Sequence, residues 1–284
     1  MLMEETEFNS EMQRTDAEFA ARTVPINARP IQAMISISRK YSASCSIANG
    51  ISENLSFPVT PANLGDHVSR WYEDNYGSKT HVDPSPGRFP LLIEGAAYAC
   101  RIPLVFGSTL VVTSKGMKPN KAILNTLDHV VDLPVAVRSR MSGSVENEIQ
   151  AVFETCIEVA QDVRAFKTPI MFSARTDILV SCDLVCGFNV NPSLSAWHAL
   201  QFAEKVLKQY ISAHKEPPRV HDIPRLIEVA QSLGYKMDPS LDVSIFSFGP
   251  SVRYEPDAIN LERAVRINHE AWRVGYNVLK QAES

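Results

Sequence analysis

Two short stretches hold the residue types that move protons and grip phosphates. The first is Arg263-Ala-Val-Arg-Ile-Asn-His269, with Arg273 one helical turn further on. An imidazole titrates near neutral pH, and an arginine presents a planar fork that matches a phosphate. At about 100° per residue on a helix, Arg266 lies roughly 60° from His269 and Arg273 roughly 40°, so these three share a face. Arg263 lies roughly 120° from His269 on the same helix. The plain alternative is a solvated outer face, which Glu262 and Glu270 also decorate. The second stretch is Pro217-Pro-Arg-Val-His-Asp222, with Arg225 close behind. Asp222 suits an N-cap, and a helix N-terminus next to Arg219, His221 and Arg225 could hold a phosphate. Capping plus loop packing of His221 against the prolines accounts for the same residues.

Other chemistries find no local signature. There is no phosphate-cradling P-loop, no dinucleotide-binding glycine motif and no nucleophile elbow. Cys182 and Cys186 stand one helical turn apart, but no histidine or second cysteine pair completes a tetrahedral set, so they read as core residues and no metal is expected. Five cysteines, an odd number, read as free thiols. Trp71-Tyr72-Glu-Asp-Asn-Tyr76 has aromatics able to stack a base, but aromatics at this spacing on a helix more often belong to its core.

The elements that must position these residues fall into two halves. Residues 1–28 are polar without an apolar period and read as a disordered tail. From Pro30 to Cys45 the pattern allows a strand or a short helix. Thr60 and Pro61 suit the start of a helix that carries Leu64, Val68, Trp71 and Tyr72 on one face and ends at Tyr76-Gly77. Phe89–Ile93, Tyr98–Phe106 and Thr109–Thr113 predict a small antiparallel meander, and Ala122–Val131 predicts a helix. From Ser144 the spacing is helical: a stripe through Ile149, Phe153, Cys156, Ala160 and Val163, then helices over Ser173–Cys186, Leu194–Ile211, Asp222–Leu233 and Ala258–Leu279. The expected fold is α+β, with a mixed domain over 29–143 and an antiparallel helical bundle over 144–284.

Composition sets the frame for function. With 284 residues, 45% hydrophobic and 21% charged, the chain is ordinary globular material. A net charge of -4 excludes a strongly basic nucleic-acid coat while leaving room for a local basic site. No run is long and apolar enough to span a membrane, and the opening residues lack a leader pattern, so a cytoplasmic protein is expected.

Gln201-Phe-Ala-Glu-Lys-Val-Leu-Lys208, followed by Val220-His-Asp-Ile223 and then Arg253-Tyr254, resembles the HEPN superfamily in order and spacing. That family places an "AEKxLK" helix, a loop with "HD", a loop with "RY" and a closing helix in succession. The resemblance covers about Thr176 to Lys280. It implies a helical bundle that binds a nucleotide, RNA or a protein partner, with Lys205, His221, Arg219 and Arg253 as ligand contacts. The N-terminal domain would sense or regulate. It also implies an alternative: a metal-independent endoribonuclease, acting as a toxin or defence effector. There His269 would be the general acid/base, and Arg263 or Arg266 would hold the phosphate. No cofactor is implied, and a homodimer is. Glu204 and Lys208 also make an ordinary i,i+4 pair, so plain bundle packing explains part of the motif. Nucleotidyltransferases often accompany HEPN bundles, and Phe106-Gly107-Ser108 matches their strand end. The carboxylate pair that would hold magnesium is missing, so these residues read as a turn.

Overall fold

A computed structural model describes residues 3–41, 55–80, 85–103, 105, 109–116 and 123–282. The chain forms two compact units, Met1–Asp83 and Pro84–Ser284. This division differs from the predicted boundary at 143/144, because the apolar face of the β-hairpin packs in one core with the later helices.

The first unit is helical. Helix α1 (Glu5–Ala21) occupies most of the segment expected to be a disordered tail. The correction has a physical cause. Phe8, Met12 and Phe19 are buried, but Glu11, Thr15 and Asp16 are buried beside them, which hides the apolar period. Glu11 is paired with Lys40 and Arg14, and Asp16 with Arg29 and the Tyr76 hydroxyl. Helix α2 (Arg29–Lys40) resolves the open choice at Pro30 in favour of a helix, and α3 (Leu64–Tyr76) follows. It starts at Leu64, later than Thr60, because Asn63 takes the Thr60 backbone N–H and closes a turn first.

The second unit is the α+β part. Strands β1 (Gly87–Ile93) and β2 (Ala96–Ile102) form an antiparallel hairpin in register Gly87 to Ile102. Its turn is Glu94-Gly95, both in the left-handed region at φ 49° and 80°, as a tight hairpin demands. The meander stops there. β3 (Leu110–Val112) pairs in parallel with β4 (Ile123–Asn125), and Thr126–His129 is a 3₁₀ turn in place of the predicted helix. The Phe106-Gly107-Ser108 turn and Cys45 lie outside the described residues. A short α4 (Val135–Arg140) leads to α5 (Gly143–Ala165), α6 (Pro169–Cys186), α7 (Pro192–Ser212), α8 (Ile223–Gln231) and α9 (Leu261–Ala282).

The predicted stripes are the buried ones. Ile149, Phe153, Cys156, Ala160 and Val163 of α5 face Val265, Trp272 and Leu279 of α9 in one core with Phe89 and Cys100 of the hairpin. Small residues let helices approach closely. A Cβ on Gly275 would meet Val159 Cγ1 at 3.0 Å and Phe202 Cε1 at 3.1 Å. Where α6, α7 and α9 cross, the Asn268 amide donates to Ser181 Oγ at 2.8 Å, and Ser195 Oγ donates to the Ser181 carbonyl at 2.7 Å. Helix α9 begins at Leu261 because Asn260, three residues past the predicted Asp257, accepts the Arg263 N–H at 2.9 Å.

Candidate functional site

One set of chemistry-bearing side chains in the second unit lies along the partly exposed face of α7. Asn191 starts this helix by accepting the Leu194 N–H at 3.0 Å, and Pro192 fixes its first turn. Leu200, Ala203, Val206, Leu207 and Tyr210 turn into the core, as their spacing predicts. That orientation leaves Trp197, His198, Gln201, Lys205 and Lys208 within an arc of roughly 100° on the opposite side. From Trp197 to Lys208 the strip is about 16 Å long at the usual rise per residue.

Two carboxylates lie behind this strip. Asp177 of α6 accepts from His198 Nδ1 at 3.0 Å and from the Lys205 ammonium, which also donates to Ser173 Oγ at 2.8 Å. Glu204 accepts from Lys208 Nζ at 2.8 Å, from the Gln201 amide at 3.0 Å and from His221 Nδ1 at 2.9 Å. The Glu204 side chain is only 4% exposed, against 63% for His221. Each carboxylate therefore fixes a lysine and an imidazole while staying largely covered itself. Both histidines use Nδ1 for this contact, so Nε2 is the nitrogen left to a ligand. At the N-terminal end of the strip the Arg253 guanidinium lies over the Trp197 ring at 4.6 Å and beside the exposed Tyr254 ring at 5.3 Å.

The structure thus brings together Lys205 and His221 beside α7 and places Arg253 against the same helix. Arg219 is exposed, two residues before His221. Asp222 caps α8 as expected, accepting the Arg225 N–H at 3.0 Å. Sequence reasoning missed His198 and Asp177. A signal existed for one of them: His198 and Lys205 are seven apart, two turns on one face. Asp177 sits on another helix and gave none.

The second predicted cluster has a different environment. Arg266 and His269 line a groove of about 270 Å³ between α5, α9 and β1, floored by Leu91, Ile149 and Val265 and rimmed by Glu148 and Glu262. Arg263 is exposed outside that groove, and Arg273 is held by Glu270 at 2.5 Å. His269 is half-buried, and its Nε2–H donates to the Pro90 carbonyl at 2.7 Å. The side chain ties α9 to the hairpin, and Nδ1 alone remains for proton transfer. Among the described residues no group of three or more His, Cys, Asp or Glu side chains gathers for a metal. No helix among them is long and apolar enough to cross a membrane.

Burial holds the His269 imidazole below its ordinary value of 6.5, with the Pro90 carbonyl opposing only in part. Burial lowers His129 in the same direction. Once the pH falls below about 6.5, the unfolded chain binds more protons than the native state, so stability declines with further acidification. The urea midpoint is expected to be lower at about pH 5.5 than at about pH 7.5, and His269→Gln should narrow that gap. Equal midpoints for the wild-type protein would contradict the buried neutral imidazole.

No protein-family profile, curated protein or solved structure matches the chain.

Proposed function

We propose that the helical unit binds a phosphate-bearing ligand, a nucleotide or an RNA end, along the solvent face of α7. One observation carries this reading: a largely buried carboxylate holds each of four basic side chains, Asp177 for the partly exposed His198 and Lys205, and Glu204 for the mostly covered Lys208 and the exposed His221. Pre-oriented cations lose little entropy on gripping an anion, and hydrogen bonds to charged groups are the strong ones. The Arg253–Trp197 stack adds a planar cation and an aromatic face at one end, which suits a base or a further phosphate. The resemblance to the HEPN superfamily supports the same reading, and its two-fold dimer is a companion proposal, checked by light scattering against the 31.5 kDa chain mass.

Titration calorimetry with AMP, ATP and a short single-stranded RNA tests the site. Lys205→Ala with Lys208→Ala is expected to weaken binding at least about tenfold, since each charge-assisted bond contributes about 1.5–3 kcal/mol. The wild-type affinity should fall with added salt. Unchanged affinity in the double variant would overturn the assignment.

The second reading is metal-independent RNA cleavage, and the observation in its favour is the two imidazoles, His198 and His221, each anchored to a carboxylate through Nδ1. Cleavage in EDTA that is lost in His198→Ala or His221→Ala would assign the chemistry to α7. Loss in His269→Ala alone would assign it to the α9 groove, with Arg266 as the phosphate ligand.

A further inference from the structure

The first unit carries a pocket of its own. It is an open hollow of about 400 Å³ between α1, α3 and the segment before α3. Its walls are aromatic. Phe8 comes from α1, Trp71 from α3 and Phe57 from the intervening segment. Its rim carries the carboxylates of Glu5 and Asp74 and the guanidinium of Arg70. We infer that this pocket binds an organic cation, an alkylammonium group with an apolar shoulder.

Preorganisation is the first reason. Phe57 keeps 36% of its surface exposed at the pocket, although an apolar ring gains by turning inward. The segment that carries it is tied on several sides. The His67 Nε2–H donates to the Ser56 carbonyl at 3.2 Å, and the Asn63 amide donates to the Pro58 carbonyl at 3.4 Å. Val59 exchanges backbone bonds with Met3 at 2.8 and 3.1 Å. The His67 ring, itself buried, backs the Phe57 ring at a centroid distance of 4.7 Å and the Phe8 ring at 5.6 Å. The exposed ring is therefore held in place by the fold around it.

Charge is the second reason. Aromatic faces attract cations through their quadrupole, most strongly tryptophan, and surround alkylammonium groups in binding sites of this kind. Two carboxylates against one guanidinium leave the rim negative. Among the described residues neither Glu5 nor Asp74 is engaged in an ion pair. Arg70 stands one helical turn before Asp74 and sets the limit on the ligand: a bare polycation is repelled on that side, while a single cation with an apolar body is accepted. A pocket of this volume falls within the usual range for small ligands.

The cation has two natural sources, a free small molecule or a lysine side chain of a protein, and the probes separate them. Calorimetry on the full chain would use choline, N-acetyl-lysine methylamide and the uncharged isostere 3,3-dimethylbutanol. At least one cation is expected to bind about five- to thirtyfold more tightly than the alcohol. Tighter binding of choline assigns the site to a free cation; tighter binding of the lysine amide assigns it to a protein side chain. Trp71→Ala should abolish the preference and Trp71→Phe should retain part of it. Glu5→Gln with Asp74→Asn, both on the exposed rim, should weaken cation binding about fivefold without moving the alcohol. Equal binding of cations and alcohol, no binding of either cation, or full affinity in the rim variant would overturn the inference. None of these outcomes touches the α7 site, which lies in the other unit.

Discussion

Trp272→Ala is expected to lower the stability of the second unit by about 3–5 kcal/mol. Trp272 is 1% exposed and sits where α9 meets α7, α5 and the hairpin. Its ring lies 5.5 Å from that of Phe202, and its Cη2 is 3.2 Å from where a Cβ on Gly87 would stand. The indole thus fills space that four elements share. A hollow of about 150 Å³ already adjoins it, lined by Val152, Cys156 and His269, so truncation would merge the new cavity with an existing one. Cavity cost grows with residual volume, which places this site at the upper end of the range. Urea unfolding followed by circular dichroism checks it, with Trp272→Phe expected to recover roughly half the loss. A change below about 1 kcal/mol would mean that the four elements do not share a packed core.

The same residue shows what was legible in the sequence. Val265, Trp272 and Leu279 repeat at seven, and that period alone identifies α9 and its buried side. Glu94-Gly95 stands between two apolar runs, the place a tight hairpin turn needs. What failed was whatever depends on partners far away in the chain. β3 and β4 have three residues each and pair in parallel across an intervening connection, so neither carries a period of its own. Helix α1 buries Glu11 and Asp16 because Lys40, Arg29 and Tyr76 come to meet them from later helices. The candidate strip on α7 divides along the same line. Lys205 and His221 are named through the family resemblance, whereas the carboxylate that orients Lys205 and His198 comes from α6 and has no local signal. Packing on Asp177 and Glu204 is what fixes the polar residues of α7 where they stand.

Glu204→Ala should have the second large effect, and it separates a structural ion pair from a solvated one. On sequence alone Glu204 and Lys208 form a surface i,i+4 pair worth a few tenths of a kcal/mol. The structure puts the Glu204 side chain at 4% exposure and that of Lys208 at 15%. Removing the carboxylate leaves an ammonium with little access to water and takes a partner from Gln201 and His221 as well. Breaking a buried pair on one side costs about 3–5 kcal/mol, far more than the pair contributes when intact. Glu204→Gln keeps an acceptor for His221 and should cost less. Urea midpoints of the two variants give the comparison. A loss of only a few tenths for Glu204→Ala would return the residue to the solvated surface. Binding supplies an independent readout. His221 is held by Glu204 and is otherwise exposed, so ligand affinity should fall in Glu204→Ala even under conditions where the variant is fully folded. If affinity holds while stability drops, Glu204 serves the bundle alone, and the ligand contacts of α7 are Lys205 and His198 on the Asp177 side.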